Sequence, residues 1–238
     1  MNIQTQNFSF DGLTKTAPGS GRGQLLMMYG LARAFVRPTI LELGTQRGVS
    51  TTVFLQACAE NDGILFSVDV DDCSSVSDDP RFRFVRGDST NAAHVIEKAP
   101  QVSEGIDLLY VDSLHTRDHV LRELRAWWPY LKQGSVIVFD DIDPHNYRPG
   151  QIRDNVGVET SNEQIALLIE EVYRANMDNL DLQFHLGGSG KAVLKKHGPI
   201  GEVLTVPSRL KKRGAFPKFV RLLRTRRSHL KRRLAQPK

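Results

Sequence analysis

The chain has 238 residues, of which 40% are hydrophobic and 25% are charged. This length suits one large domain with extensions, and the apolar fraction suffices for a substantial core. No apolar run approaches the roughly eighteen residues that cross a membrane, and the first residues lack the pattern of a signal peptide. With two cysteines and no secretory context, we expect reduced thiols and a cytoplasmic location.

Charge divides the chain into two parts. Residues 203–238 contain 13 Lys or Arg and no Asp or Glu, whereas residues 1–202 contain 19 basic and 27 acidic residues. An acidic body with a basic tail indicates two separate physical roles. We therefore expect a flexible N-terminal arm at residues 1–21, a folded domain at 22–202, and a basic amphipathic tail at 203–238.

Helical and strand-like patterns alternate along the folded domain. In chain order they predict a helix at 22–36, a strand at 39–44, a helix at 49–60, strands at 64–70, 82–88 and 106–112, a helix at 117–132, a strand at 135–142, a helix at 161–175 capped by Ser161, and strands at 180–186 and 191–196. The alternation predicts an α/β, Rossmann-like sheet that is mostly parallel, with helices on both faces. The terminal hairpin predicts one antiparallel edge strand.

Acidic side chains follow the carboxyl ends of five predicted strands, which is where open α/β sheets bind ligands. They are Glu42, Asp69, Asp71, Asp72, Asp88, Asp112, Asp140 and Asp141. Such a cluster does not stabilise the fold, because like charges repel each other and lose hydration on burial. The sequence therefore predicts a ligand site at this edge of the sheet.

The turn ELGTQRGVS, at residues 42–50, distinguishes among nucleotide-type ligands. Gly44 and Gly48 would let the backbone pass close to a ligand. Gln46 stands where a dinucleotide site would have its second glycine, and the sequence has no phosphate-binding loop of the G-x-x-x-x-G-K type. A positively charged sulfonium ligand without phosphates suits the acidic edge better than a dinucleotide or ATP.

The next two strand ends offer partners for an adenosine group. Asp69 would accept hydrogen bonds from the two ribose hydroxyls. Asp88 would accept one from an adenine amino group, and the N–H of Ser89 would donate to a ring nitrogen. The candidate cofactor-binding residues are Glu42, Gly44, Gly48, Ser50, Asp69, Asp88 and Ser89.

Three carboxylates predict a metal site beside them. Asp112 ends one strand, Asp140 and Asp141 end the next, and no cysteine lies among them. Such a hard oxygen site suits Mg²⁺, Mn²⁺ or Ca²⁺ better than Zn²⁺. Asp143 is a weaker fourth candidate.

The motifs ELGTQRG, SVDV and GDS, in this order, resemble class I methyltransferases that use S-adenosylmethionine (SAM), over roughly residues 22–196. A tighter match, YVDSLHT with VFDDID, resembles metal-dependent macrocin- and mycinamicin-type sugar O-methyltransferases and the related cephalosporin-biosynthesis and rhamnosyl enzymes. The resemblance implies SAM as cofactor, Mg²⁺ on Asp112, Asp140 and Asp141, and His115 as the catalytic base next to Asp112. Imidazole exchanges protons near neutral pH, which suits this role. His119, one turn later, is interpreted as a helix-surface residue.

A long polar segment at residues 143–160 is a candidate substrate lid. Its residues His145, Tyr147, Arg148 and Arg153 would contact the acceptor, although none of them identifies a sugar. Residues 208–238 form either a cationic amphipathic helix or a disordered tail. They would bind an anionic membrane surface, nucleic acid, or the acidic body of the protein itself.

The main hypothesis is a SAM-dependent, Mg²⁺-dependent O-methyltransferase acting on a hydroxyl of a small molecule or glycoside, such as a secondary metabolite or glycolipid. One alternative is a metal-independent methyltransferase of RNA or protein that holds its substrate with the basic tail. Another is a non-catalytic SAM-binding module. The sequence leaves open a homo-oligomer and a peripheral position at a membrane.

Overall fold

Strands and helices alternate along the computed structural model, which describes residues 8–17, 19–145, 147, 151, 155–208 and 219–224. Within these ranges the main elements are α1 (Phe10–Thr16), α2 (Gly19–Arg33), β1 (Thr39–Leu43), α3 (Val49–Asn61), β2 (Ile64–Asp69), β3 (Phe82–Arg86), α4 (Ala92–Lys98), β4 (Ile106–Val111), α5 (Arg117–Trp127), β5 (Leu131–Phe139), α6 (Val156–Ala175), β6 (Leu180–His185) and β7 (Lys191–Lys196). No helix within these ranges is long and apolar enough to cross a bilayer.

The seven strands form one sheet with the order β3-β2-β1-β4-β5-β7-β6. Strands β1 to β5 are parallel to one another, and β7 runs antiparallel to both β5 and β6. The predicted Rossmann-like fold is confirmed, with β7 as the inner strand of the terminal hairpin. The strand order reverses between β1 and β4, so the carboxyl ends of these two strands flank the crevice in which such sheets bind ligands.

Helices cover both faces of the sheet, which explains why its strands are apolar on both sides. Helices α4, α5 and α6 contribute Val95, Leu124 and Ile165 to the core on one face. On the opposite face, α2 and α3 contribute Met28 and Phe54. The two layers fix the carboxyl edge of the sheet as a rigid base for the site.

The N-terminal segment differs from the flexible arm that was expected. In the described part of residues 1–21, α1 is capped by the Ser9 side chain, which accepts a hydrogen bond from Gly12 N at 3.1 Å. The centroid of the Phe10 ring lies 4.7 Å from the centroid of the Tyr29 ring on α2. This helix is too short and polar for a periodic pattern to show in the sequence.

Helix α6 begins five residues earlier than predicted. Its N-cap is Asn155, whose side chain accepts a hydrogen bond from Val158 N at 3.1 Å, rather than Ser161. Ser161 instead donates from its hydroxyl to the backbone carbonyl of His115. The end of the predicted lid is therefore the first turn of a helix. Helix α5, in turn, ends at Trp127, before the turn that contains Pro129.

Candidate active site

A cleft of about 950 Å³ opens at the carboxyl ends of β1 to β5. The predicted site residues that line it are Gly44, Ser50, Asp69, Asp88, Ser89, Asp112, His115, Asp140 and Asp141. We call the loops after β1, β2 and β3 the donor side. We call the loops after β4 and β5, with the start of β7, the acceptor side. The strand ends thus bring together most of the residues that the sequence predicts.

The two glycines of the β1 turn permit close contacts within the protein. Gly44 has φ +98°, and a Cβ atom there would lie 2.3 Å from the carbonyl oxygen of Asp112. Gly48 has φ +80°, and a Cβ atom there would lie 2.1 Å from Val76 Cγ1. L-amino acids with side chains rarely adopt such φ angles. Gly44 therefore lets β1 and β4 approach each other where the crevice opens, and Gly48 lies behind the lining.

Glu42 does not line the cleft, in contrast to the prediction. Its side chain is fully buried, and its Oε2 accepts hydrogen bonds from Thr51 Oγ1, at 2.7 Å, and from the Ser67 hydroxyl. Burial raises the pKa of the Glu42 carboxyl to about 7, although hydrogen bonds from Ser50, Ser67 and Thr51 oppose this shift. Glu42 therefore supports the donor side from below, through β2 and α3.

Asp69 lies at the centre of the donor side. Its Oδ2 accepts hydrogen bonds from the N–H groups of Thr45, at 2.9 Å, and Gln46, at 3.0 Å, and its Oδ1 accepts one from Asp71 N at 3.0 Å. A carboxylate has about four acceptor positions. Asp69 thus holds the glycine turn in place and keeps capacity for about one strong hydrogen bond to a ligand.

The loop after β3 completes the donor side. Asp88 Oδ1 accepts hydrogen bonds from the N–H and the hydroxyl of Thr90, both at 2.8 Å. The backbone hydrogen bond from Thr90 lowers the pKa of Asp88, so its carboxylate stays ionised at neutral pH. The Ser89 hydroxyl, by contrast, makes a buried contact within the protein and donates to Glu123 Oε1 at 2.5 Å.

His119 is part of the site rather than a surface residue. Its side chain is 10% exposed, and its Nε2 lies 3.1 Å from Ser89 Oγ and 3.3 Å from Glu123 Oε1. Glu123 is fully buried and also accepts a hydrogen bond from the Ser113 hydroxyl. This network joins the loops after β3 and β4, and hence the two sides of the cleft. The i,i+4 spacing of His119 and Glu123 on a helix is the signal that could have revealed it.

A buried lysine dominates the acceptor side. Lys191, the first residue of β7, is 3% exposed, and its Nζ lies 2.5 Å from Asp140 Oδ2. The hydroxyl of Tyr110 donates to the same oxygen at 2.6 Å. The other oxygen of Asp140 accepts hydrogen bonds from Ser189 Oγ, at 2.5 Å, and from Asp141 N, at 2.7 Å. Both oxygens of Asp140 are therefore engaged within the protein.

The other two carboxylates of the predicted metal site face a histidine. His115 Nε2 lies 3.6 Å from Asp112 Oδ1 and 3.5 Å from Asp141 Oδ2. Among the described residues, no group of three or more carboxylate, imidazole or thiol side chains has the arrangement of a metal site. Mg²⁺ is commonly held by only one or two carboxylates and keeps several water molecules. Asp112 and Asp141 fit such a role, whereas Asp140 is already saturated.

Burial and mutual repulsion divide the three carboxyl groups into two kinds. Burial, and next the neighbouring Asp140, raise the pKa of Asp112 well above its usual range and also raise that of Asp141. Burial acts on Asp140 in the same direction, but the Lys191 ammonium and the hydrogen bonds outweigh it and lower its pKa. Asp140 is therefore the permanent anion of the cluster, and the other two hold protons more readily.

The predicted substrate segment is described only at residues 143–145, 147, 151 and 155–160, and none of these lines the cleft. The Tyr147 hydroxyl donates to Glu159 Oε1 at 2.8 Å and accepts from Asn155 N at 3.1 Å, so this residue is attached to the start of α6. Neither Tyr147 nor His145 lines the cleft. Asp143, the weaker metal candidate, accepts a hydrogen bond from His145 N at 2.7 Å. The remaining predicted lid residues, Arg148 and Arg153, lie outside the described part of the chain.

Known structures share this fold. Over 86% of the chain, it matches the MycE methyltransferase from the mycinamycin biosynthetic pathway, in complex with Mg and S-adenosylhomocysteine (SAH), with 19% identity and a TM-score of 0.55. The match spans 58% of the length of MycE, so the chain corresponds to little more than half of that protein. A putative caffeoyl-CoA O-methyltransferase from Staphylococcus aureus matches over 81% of the chain and 94% of its own length, with 18% identity and a TM-score of 0.58.

A third structure, the O-methyltransferase TomG from Streptomyces achromogenes in complex with SAM, covers 76% of the chain and 82% of its own length, with 16% identity and a TM-score of 0.52. No curated protein is similar enough in sequence to count as a match. Residues 41–142 match a family model described as a methyltransferase domain. This range runs from β1 to the loop after β5 and contains every lining residue of the cleft except Ser189. The chain therefore shares the fold of these methyltransferases, and its cleft lies almost entirely within the range that the family model matches.

Proposed function

We propose that the protein transfers the methyl group of SAM to a hydroxyl of a small molecule or glycoside, such as a secondary metabolite or glycolipid. The observation that carries this proposal is the position of His115. Its imidazole lies in the cleft between two carboxylates, on the acceptor side, while the acids of the donor side suit a positively charged sulfonium. A base facing a methyl donor is what oxygen methylation requires.

The donor side would hold SAM through its adenosine group. Asp69 would accept a hydrogen bond from the ribose, and Asp88, which stays ionised, would accept one from the adenine amino group. The adjacent glycine turn has no anion-binding pattern for a pyrophosphate, so a ligand without phosphates suits the site. These contacts would fix the sulfonium near the boundary between the two sides.

The acceptor side would supply the proton acceptor. As the acceptor oxygen bonds to the methyl carbon, the bond from that carbon to sulfur breaks, and SAM leaves as neutral SAH. The hydroxyl proton passes to His115 Nε2. Asp112 and Asp141 lie within 3.6 Å of that nitrogen and would stabilise the imidazolium that forms. Positioning of the oxygen against the methyl group would supply much of the remaining acceleration.

Mg²⁺ remains part of this proposal through Asp112 and Asp141. When bound, it would act as a Lewis acid toward the acceptor oxygen. Asp140 would position these two groups rather than ligate the ion, because Tyr110, Ser189 and Lys191 occupy its oxygens. The same saturation of Asp140 favours the metal-independent alternative more than the sequence alone does.

Calorimetric titration with SAM tests the donor, with and without Mg²⁺. We expect SAM binding by the wild type and by His115→Gln, because His115 lies on the acceptor side. The rate of SAH formation from SAM, measured with a panel of hydroxyl acceptors, should fall by about 10²- to 10⁴-fold in His115→Gln, which is the usual contribution of a general base. Absence of SAM binding would refute the proposal. Equal activity of the wild type and His115→Gln would refute this role of the histidine.

The metal is tested separately by Mg²⁺ titration of the wild type, Asp141→Asn and Asp140→Asn. We expect the Mg²⁺ heat to disappear in Asp141→Asn. Full activity in the presence of EDTA would support the metal-independent alternative. If that activity also required RNA or a protein and fell steeply with salt, the basic tail would be the substrate-binding element.

A further inference from the structure

Within the basic tail, residues 219–224 form a helix whose arginine side chains face inward. The sequence of this helix is FVRLLR. The Arg221 side chain is 8% exposed. The apolar side chains are far more open to solvent, at 56% for Phe219, 47% for Val220, 52% for Leu222 and 49% for Leu223. A surface helix of a soluble protein normally has the opposite arrangement.

Two carboxylates of α6 explain why the arginines face inward. Arg221 Nε lies 3.0 Å from Glu159 Oε2, and its Nη1 lies 3.0 Å from Glu163 Oε2. Arg224 pairs with the other oxygen of Glu159. Glu159 is 1% exposed, so these are buried ion pairs rather than loose surface contacts. At this segment the tail therefore contacts the acidic body, which is one of the three partners that the sequence leaves open.

This anchor sets the direction of the apolar side chains. Because Arg221 and Arg224 lie against α6, the four apolar residues between and before them project to solvent. Adjacent exposed apolar residues with charged neighbours mark an interaction site. The anchored helix therefore presents an apolar surface, made of Phe219, Val220, Leu222 and Leu223, away from the body.

We infer that this apolar surface inserts into the interface of an anionic membrane. Residues 203–238 contain 13 basic and no acidic residues, and the 11 other than Arg221 and Arg224 complement a negatively charged bilayer. Each basic residue near such a surface contributes about 1 kcal/mol of attraction, and apolar side chains beside them enter the headgroup region. Arg221 and Arg224 attach the tail helix to α6, so that its apolar side chains face outward and can contact the lipid.

Nucleic acid fits the helix at residues 219–224 less well than a membrane does. Phosphates are bound by exposed basic side chains, yet Arg221 faces Glu159 and Glu163 instead of solvent. The outward residues Phe219, Val220, Leu222 and Leu223 offer no hydrogen-bond donor to a phosphate. Membrane insertion uses the face that this helix exposes, whereas phosphate binding would use the face that it buries.

Vesicle flotation with the full chain tests the inference. We expect binding to phosphatidylcholine vesicles that contain about one-third phosphatidylglycerol, and none to pure phosphatidylcholine, because the attraction needs anionic lipid. The double variant Phe219→Ser/Leu222→Ser should bind at least about tenfold more weakly, since two apolar groups no longer enter the interface. A matched control, Val36→Ser/Leu186→Ser, removes two exposed apolar residues of the body (86% and 72% exposed) and should bind like the wild type.

Circular dichroism and SAM titration of the variants keep the result separate from folding and from the proposed activity. Wild-type protein that fails to float with anionic vesicles would overturn the inference. So would a Phe219→Ser/Leu222→Ser variant that floats as well as the wild type, because binding would then rest on charge alone. Binding to poly-uridine RNA without vesicle binding would identify nucleic acid as the partner. A concentration-dependent dimer lost in the same variant, without vesicle binding, would identify a second copy of the chain.

Discussion

The two sides of the cleft hold their carboxylates in different ways. On the donor side, Asp88 accepts the backbone N–H of Thr90 in its own loop, and Asp69 accepts those of Thr45 and Gln46 in the neighbouring turn after β1. On the acceptor side, Asp140 also pairs with the ammonium of Lys191, which lies on the neighbouring strand β7 but far along the chain. The donor side thus depends on backbone N–H groups of the turns, and the acceptor side on a buried ion pair between neighbouring strands.

This difference indicates which changes each side tolerates. Backbone hydrogen bonds to a partly exposed carboxylate can be replaced by water, so their loss affects mainly ligand binding. A buried charge cannot be rehydrated in the same way, so the loss of its partner affects the whole fold. We therefore expect large stability effects on the acceptor side and smaller, ligand-linked effects on the donor side.

The largest expected effect is that of Lys191→Met. Removal of the ammonium leaves Asp140 buried beside Asp112 without its cation, and breaking such a pair costs about 3–5 kcal/mol in the free energy of unfolding. The double variant Lys191→Met/Asp140→Asn removes both charges and should recover most of that loss. Urea unfolding of the two single variants and the double variant measures the coupling. A cost below about 1 kcal/mol for Lys191→Met would contradict a structural ion pair.

Glu42→Gln tests how much the buried Glu42 carboxyl, which lies beneath the donor side, lowers stability when it ionises. Burial raises the pKa of Glu42 to about 7, whereas a glutamate in the unfolded chain has a pKa near 4.3. As the pH rises through this window, the unfolded state loses its proton first, so ionisation of Glu42 lowers the stability of the wild type. The neutral variant avoids this cost and should gain up to about 3 kcal/mol over the wild type above pH 7.

Urea unfolding at pH 5 and at pH 8 measures this gain for Glu42→Gln. Glu97→Gln is a suitable control, because the side chain of Glu97 is 69% exposed. The difference between Glu42→Gln and the wild type should be larger at pH 8. A difference that is the same at both pH values would mean that Glu42 ionises alike in the folded and unfolded chains.

Asp69→Asn is expected to reduce SAM affinity by about 10- to 100-fold. The change removes a charged acceptor for a ribose hydroxyl and weakens the hold on the N–H groups of Thr45 and Gln46, and hydrogen bonds to charged groups contribute about 1.5–3 kcal/mol. Calorimetric titration with SAM measures the change. Asp71→Asn, which also lies at the cleft, is the matched control and should lose less. Equal losses would show that only the overall negative charge matters.

Ser189→Ala should have the smallest effect, about 1–2 kcal/mol in the free energy of unfolding. It removes one of several hydrogen bonds to Asp140 and leaves the ion pair with Lys191 in place. Thermal unfolding of Ser189→Ala and of Lys191→Met under the same conditions compares the two losses of stability. A larger loss for Ser189→Ala than for Lys191→Met would reverse our account of what holds the acceptor side.

The convergence of acids at one edge could be predicted from the sequence, because it follows from parallel strands. The partner of Asp140 could not be read from the same pattern. Lys191 belongs to a run, KAVLKK, that reads as an ordinary strand, and only the position of β7 beside β5 brings its first residue to the carboxyl edge. The antiparallel hairpin itself was predicted, so the lysine could have been placed there by asking which end of β7 meets the end of β5.

Other features of the site depend on tertiary contacts that leave little trace in a sequence. Gly44 was expected to make room for a ligand, but it makes room for the backbone of Asp112, which belongs to a strand about 70 residues away along the chain. His119 looks like a helix-surface residue until Ser89 and Glu123 are placed beside it. The roles of His115 and of the carboxylates toward Mg²⁺ remain predictions.

Glu159 connects two parts of the chain that would otherwise be treated as independent. It accepts a hydrogen bond from Tyr147 of the substrate segment and pairs with Arg221 and Arg224 of the tail. Shortening the protein after residue 208 would remove both cations from this carboxylate. Tyr147 would then hydrogen-bond to a group that is newly hydrated and less fixed. A trimmed protein is therefore altered around Tyr147 as well as shorter, and measurements made on it would describe this altered state.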